Sequence, residues 1–153
     1  MPISYSPKVG ELLDCNFGQF ETLPNESYNT GNFDRRIPPE MIKKRPVVVL
    51  GGKFGQSALV IPISSSLNQN FVHRGLHVHI PPACFPTTDV YDERDRWAKA
   101  ELIQHVSRHR LYKIRNNGGR SGLYLSREIV DQIQRAVIAA ISAKSLISNA
   151  NRA

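Results

Sequence analysis

Arg45, Ser64, Lys99 and Glu101 are the side chains whose types and positions suit phosphate chemistry. Arg45 stands at the mouth of a β-branched run, directly before Pro46, where a guanidinium can be held rigid and aimed outward. Its planar fork matches two phosphate oxygens. Ser64 lies just past the end of the next apolar run. If the two runs pair as a hairpin, the start of one meets the end of the other, and Arg45 and Ser64 become neighbours on one rim. Lys99 and Glu101 stand two residues apart, so on a strand they share a face. A carboxylate that removes a ribose 2′-hydroxyl proton, with a cation that steadies the phosphate, is the minimum needed to cleave RNA without a metal. From spacing alone, an exposed salt pair on a polar sheet face is the favoured reading of these two residues.

A second group carries less direction. Leu76, Val78 and Ile80 alternate with His77 and His79, which predicts a half-buried strand with both imidazoles on its open face. Two histidines there fit metal ligands, a grip on phosphate, or ordinary solvent-facing residues, and no third ligand is evident nearby. No G-x-G-x-x-G follows a strand, and Walker, H-E-x-x-H and G-x-S-x-G patterns are missing. The expectation is therefore a site with no cofactor and no metal.

The elements that must position these residues are mostly strands. Glu11 to Asn16 is predicted as a first short strand. Residues 17–44 carry Pro24, Asn25, Gly31, Pro38 and Pro39 with no period, and are read as one long loop, either a binding cover or a tolerated insertion. Val47 to Leu50 reads as a strand buried on both faces and stopped by Gly51-Gly52, with Gly51 to Gln56 as the turn into a second run, Ala58 to Ile63. Pro62 argues for an edge or a strand end there. Cys84 to Asp95 is loop-like, Trp97 to Arg108 is read as a strand, and Asn116-Asn117-Gly118-Gly119 is a turn. Ser126 caps a C-terminal helix whose stripe is Ile129, Ile133, Ala136, Val137, Ala140 and Ile141. Residues 145–153 are expected to fray. Short strands plus one helix give a β-rich α+β domain, a strongly bent sheet or partly open barrel covering residues 1–153 as one unit.

Composition bounds the partners. The chain has 153 residues and a net charge of +7, which concentrates polyanions near its surface and favours nucleic acid over membrane. No apolar run is long enough to span a bilayer. Two cysteines, Cys15 and Cys84, with no visible export signal, point to reduced, half-buried thiols in a cytoplasm.

Several segments in order resemble the MazF/PemK toxins, the Kid-like endoribonucleases of type II toxin–antitoxin systems. Tyr5-x-Pro7-Lys8-x-Gly10-Glu11-Leu12 is similar to their opening. Lys44-Arg45-Pro46-Val47-Val48-Val49 resembles their Arg-Pro and β-branched strand, and Val60-Ile61-Pro62-Ile63-Ser64-Ser65 their strand ending in Pro-x-Thr. Lys99-Ala100-Glu101-Leu102-Ile103 and His109-Arg110-Leu111 resemble the segments that follow, and Ser126 to Ile141 takes the place of their last helix. The resemblance implies an SH3-like bent barrel, a homodimer, and a cognate antitoxin that blocks the groove. It implies cleavage of single-stranded RNA or mRNA by 2′-hydroxyl attack, leaving a 2′,3′-cyclic phosphate and a 5′-hydroxyl. In that scheme Arg45 stabilises the phosphate or protonates the leaving oxygen, Ser64 donates to a phosphate oxygen, Glu101 is the base, and Lys99 is a clamp or acid. Glu40, Lys44, Ser65, His77, His79 and Arg110 are the supporting substrate contacts. Leu102 and Lys99 depart from the family's Gln and Arg. Two alternatives share the fold or the charge: a CcdB-like gyrase inhibitor, and a nucleic-acid-binding protein without chemistry.

Overall fold

Strands β1 (Glu11–Asn16), β2 (Lys44–Phe54) and β3 (Ser57–Ser64) form an antiparallel meander, the frame on which the rest is hung. The computed structural model describes residues 1–19, 36–37, 39–120 and 122–150. A short helix α1 (Gln69–His73) leads to β4 (His77–Ile80). Then come β5 (Arg96–Lys99), β6 (Gln104–Ser107), β7 (Leu111–Tyr112), the hairpin β8 (Arg115–Asn116) and β9 (Gly119–Arg120), and β10 (Leu123–Tyr124). Helices α2 (Arg127–Ala140) and α3 (Lys144–Ala150) follow. The main sheet runs β10-β1-β2-β3-β5-β4, with β6 added to β3 and β7 to β1. The path does not return on itself, so the sheet is bent and partly open.

Both faces of the β1–β3 frame are covered, which is why Val47, Val48 and Val49 are all fully buried. Leu12, Val48, Ile61 and Ile63 pack under α2 with Ile129, Val130 and Ile133. Burying each such side chain contributes about 1.5–3 kcal/mol. Leu13, Cys15, Val47, Val49, Val60 and Val106 face the other way and pack with Ile3, Phe17 and Met41. The helix begins as expected, with Ser126 Oγ accepting from Ile129 N at 3.4 Å. Within its stripe Ile141 is exposed, and Val130 takes a buried place instead. The expected turn joins β8 and β9, with Asn117 and Gly118 at positive φ and their N–H groups donating to the Asp89 carboxylate.

Several expectations are corrected. Gly51-Gly52 does not stop β2, which runs on to Phe54 with register shifts on either side of Gly51. The glycines serve close approach: a Cβ on Gly52 would lie 1.8 Å from the Pro7 carbonyl oxygen. Pro62 is interior, opposite Val47. It is tolerated because β3 changes its outer partner there, from β6 at Val60 to β5 at Ile63. The segment read as one strand from Trp97 breaks after Lys99 into a 3₁₀ turn, Ala100–Leu102, before β6. Cys84 is exposed, whereas Cys15 is buried, and both are free. Lys144–Ala150 forms α3 where fraying was expected, after Ser142 turns the chain at positive φ. Most of the long loop, 20–35 and residue 38, lies outside the described residues, as do 151–153.

Candidate active site

The antiparallel register of β2 and β3 sets Val47 opposite Pro62. Continued by two residues, it sets Arg45 opposite Ser64, and strand alternation turns both to one side. The two side chains line one cleft of about 370 Å³ together with Lys44, Pro46, Ile63, Ser65, Val90, Tyr91, Asp92, Arg94 and Arg96. Arg45 is half-buried, and its Nε donates to the Ile42 carbonyl at 3.4 Å, which anchors the base of the fork. The neighbourhood of Arg45 and Ser64 expected from sequence is what the strands produce, and Lys44 and Ser65 join them.

The remaining candidates lie apart from this cleft. Glu101 stands on the 3₁₀ turn, so it does not share a strand face with Lys99, and that expectation is overturned. It lines a second depression with Arg36, Pro39, Glu40, Met41, Leu102, Ile103 and Gln104. There Glu40 Oε1 accepts from Ile37 N at 2.7 Å. The two depressions are joined through the chain, since Met41 lines one and Lys44 and Arg45 the other.

The histidines divide. His77 is buried at 4% exposure, packed edge-on against Phe71, with Nε2 2.6 Å from Glu101 Oε1. A solvent-facing His77 is therefore corrected: α1 and the 3₁₀ turn close over it. His79 remains exposed and meets Asp95 at 2.7 Å. Lys99 sits opposite His77 across β5 and β4. Arg110 is spent on the Asn16 carbonyl at 2.8 Å, beside Cys15. Burial pushes the Cys15 thiol up to about 12, against the pull of Arg110 and Arg36.

Four polar cleft residues escaped the sequence reading: Tyr91, Asp92, Arg94 and Arg96. They fall in or beside the stretch read only as loop-like, and the signal available was the run of five charged residues of both signs, Asp92 to Arg96, next to Tyr91. Tyr91 Oη donates to Asp14, a carboxylate at 3% exposure on β1, whose other oxygen is 3.7 Å from Lys44 Nζ. Burial and then the Asp14 bond push the Tyr91 phenol far above its ordinary value, so it stays a donor. The Arg96 guanidinium lies 4.6 Å from the Phe85 ring centre and 5.2 Å from that of Tyr91. Lys44 thus reaches the cleft from a strand whose register is pinned by a buried carboxylate, and Arg96 from between two rings.

A partly open antiparallel sheet with a C-terminal helix and a cationic cleft at the ends of two paired strands defines a MazF-like fold. MazF from Deinococcus radiodurans superposes with a TM-score of 0.56 at 12% identity, covering 91% of this chain and 99% of that one. The MazE–MazF structure from the same organism gives 0.53 at 12% identity, covering 92% and 100%. At such identities the likeness concerns the fold. The sequence goes further: residues 30–141 match the model of the PemK-like, MazF-like toxin of type II toxin-antitoxin system, and the chain belongs to that family. It is also 47% identical over 149 residues to the Escherichia coli (strain K12) protein YifN, covering 97% of this chain and all of that one. No described helix is long and apolar enough to cross a membrane.

Proposed function

We propose that the chain is the toxin of a cytoplasmic toxin–antitoxin pair and a metal-independent, sequence-specific endoribonuclease acting on single-stranded RNA, including mRNA. The observation that carries this reading is the cleft that Arg45 and Ser64 line together with Lys44, Arg94 and Arg96. A phosphate seated there meets a guanidinium fork, a hydroxyl donor and surrounding positive charge, which together favour the pentacovalent transition state over the diester. Glu101 is assigned as the base for the 2′-hydroxyl next to that phosphate; in the free protein it lines the second depression with His77 Nε2 against it, so the step requires Glu101 and the Arg45 cleft to meet on one nucleotide. The 2′-oxygen attacks phosphorus in line, the bond to the 5′-oxygen breaks, and the leaving oxygen takes a proton from Arg45 in the cleft or from Lys99, which lies outside it opposite His77. The products are a 2′,3′-cyclic phosphate and a 5′-hydroxyl.

Glu40 and His79 are proposed as contacts along the strand outside the reacting centre, Ser65 as a contact within the cleft, and Arg110 as a contact through the part of its fork that Asn16 does not hold. The family and the MazE–MazF neighbour support an antitoxin partner, and a cationic cleft suits an acidic segment of it. A homodimer is proposed on the same family ground. The test is incubation of a long single-stranded RNA with purified protein in EDTA, with end-group analysis. Fragments with cyclic phosphate and 5′-hydroxyl ends support the reading, and intact RNA overturns it. A second reading, RNA binding without turnover, is favoured by one observation: Glu101 lines a different depression from Arg45. Salt-dependent binding with no cleavage is its signature.

A further inference from the structure

Arg96 is the first residue of β5, and its side chain is only 7% exposed, yet it lines the cleft beside Arg45 and Ser64. Its Nε is buried and has no hydrogen-bond partner among the described residues. One Nη donates to the Asp92 carbonyl at 3.1 Å and reaches Asp92 Oδ1 at 3.4 Å. Arg94 grips the same carboxylate with both ends of its fork, through Nε and Nη2. Asp92 itself is solvated, with 62% of its side chain exposed, and Arg94 holds its carboxyl below the usual range. One exposed carboxylate therefore bridges two arginines inside the cleft, while the buried carboxylate Asp14 beneath Tyr91 and Lys44 is already engaged by both.

An arginine fork that fits a carboxylate fits a phosphate in the same way. We propose that Asp92 occupies, in the free protein, the seat of a second backbone phosphate, and that Arg94 and Arg96 form a phosphate subsite next to the one made by Arg45 and Ser64. The inference rests on the RNA reading above and names how the strand is held. A solvated ion pair is weak, so the Asp92–Arg94 contact yields readily to an entering anion. Arg96, stripped of water and fixed between Phe85 and Tyr91, needs no ordering to meet it. Asp92 also repels polyanions that do not supply a phosphate at that point, so the subsite selects for a strand bound in register.

The probe is a fluorescent single-stranded RNA with 2′-O-methyl groups throughout, which binds without being able to attack itself. Its dissociation constant is measured against salt for wild type, Arg94→Gln, Asp92→Asn and Arg96→Lys, each checked by thermal melting. Arg94→Gln is expected to weaken binding and to flatten the slope of log affinity against log salt by about 0.7, one phosphate contact on a single strand. Asp92→Asn is expected to tighten binding about threefold to fivefold, the release of an exposed ion pair. A role of Asp92 confined to holding its own loop gives the opposite sign. Arg94→Gln and Asp92→Asn, both on solvated side chains, decide the matter even if Arg96→Lys fails to fold. Wild-type affinity and slope in both overturn the subsite while leaving cleavage of unmodified RNA as a separate result. Tighter binding by Asp92→Asn with uncleaved natural RNA keeps the subsite and removes the nuclease reading. No binding by wild type overturns both.

Discussion

Replacing Tyr91 with Phe removes one hydroxyl and leaves the ring where it packs on Phe85 and under Arg96. The hydroxyl donates to Asp14, which at 3% exposure has almost no water to turn to, and Lys44 Nζ lies 3.7 Å from its other oxygen. A hydrogen bond to a charged group contributes about 1.5–3 kcal/mol, and leaving a buried acceptor unpaired costs in the same range. Taking about 2 kcal/mol, and about 2–4 °C per kcal/mol for a chain of this size, Tm should fall by about 4–8 °C. The loss should be coupled to Asp14: in an Asp14→Asn background the same change should cost about 1 kcal/mol less, because a neutral amide demands less from its donor. Urea unfolding of the four proteins in the cycle measures this. A Tyr91→Phe protein within about 0.5 kcal/mol of wild type, or equal costs in both backgrounds, would refute the claim that the phenol pins the cleft to β1.

Other consequences follow from the same geometry. Glu101→Gln should lower cleavage about 10²–10⁴-fold while RNA affinity stays near wild type, because a general base is lost and a phosphate contact is not; single-turnover kinetics with a binding titration separate the two. Gly52→Ala should destabilise the fold by about 3 kcal/mol, since its Cβ would sit 1.8 Å from the Pro7 carbonyl oxygen, and a denaturation midpoint near wild type would argue against that close approach. Iodoacetamide at about pH 8 should label Cys84 in the native protein and Cys15 only after denaturation. Because burial raises the Cys15 thiol to about 12, the native state keeps this proton longer than the unfolded chain does. Its contribution to stability is therefore complete below the ordinary thiol value and is lost as pH rises toward about 12, which unfolding curves across that window check.

The strands that carry the rim were legible because their signals are local. A β-branched run bounded by Arg45-Pro46 and a second ending at Ser64 need only pair as a hairpin to bring those two residues together. The bounds of β1 and the cap at Ser126 are local in the same sense. What could not be read depends on contacts distant in sequence. The strand through Trp97 breaks at Ala100 because β3 exchanges β5 for β6 there, and the turn that results sends Glu101 away from Lys99 and onto His77. His77 is buried by α1 and that turn, neither of which the alternation of its own strand reveals. Gly51 and Gly52 look like a strand end until Phe54 and Pro7 are seen to lie against them. Arg94 and Arg96 join the cleft only because the loop before β5 folds back over β1 through Tyr91 and Asp14, 77 positions apart in the chain.

The central claim is that a phosphate held by Arg45 and Ser64 is attacked by the 2′-hydroxyl of its own strand. The most direct measurement maps one strong cut in a long RNA, then compares an oligonucleotide carrying that site with one lacking only the 2′-hydroxyl on its 5′ side, in EDTA, for wild type and Arg45→Ala. The account predicts cutting of the all-ribose strand by wild type to a cyclic phosphate, with no cutting at the deoxy position. It also predicts a loss of about 10²-fold or more in Arg45→Ala. Cutting at the deoxy position, or full activity without Arg45, would contradict it.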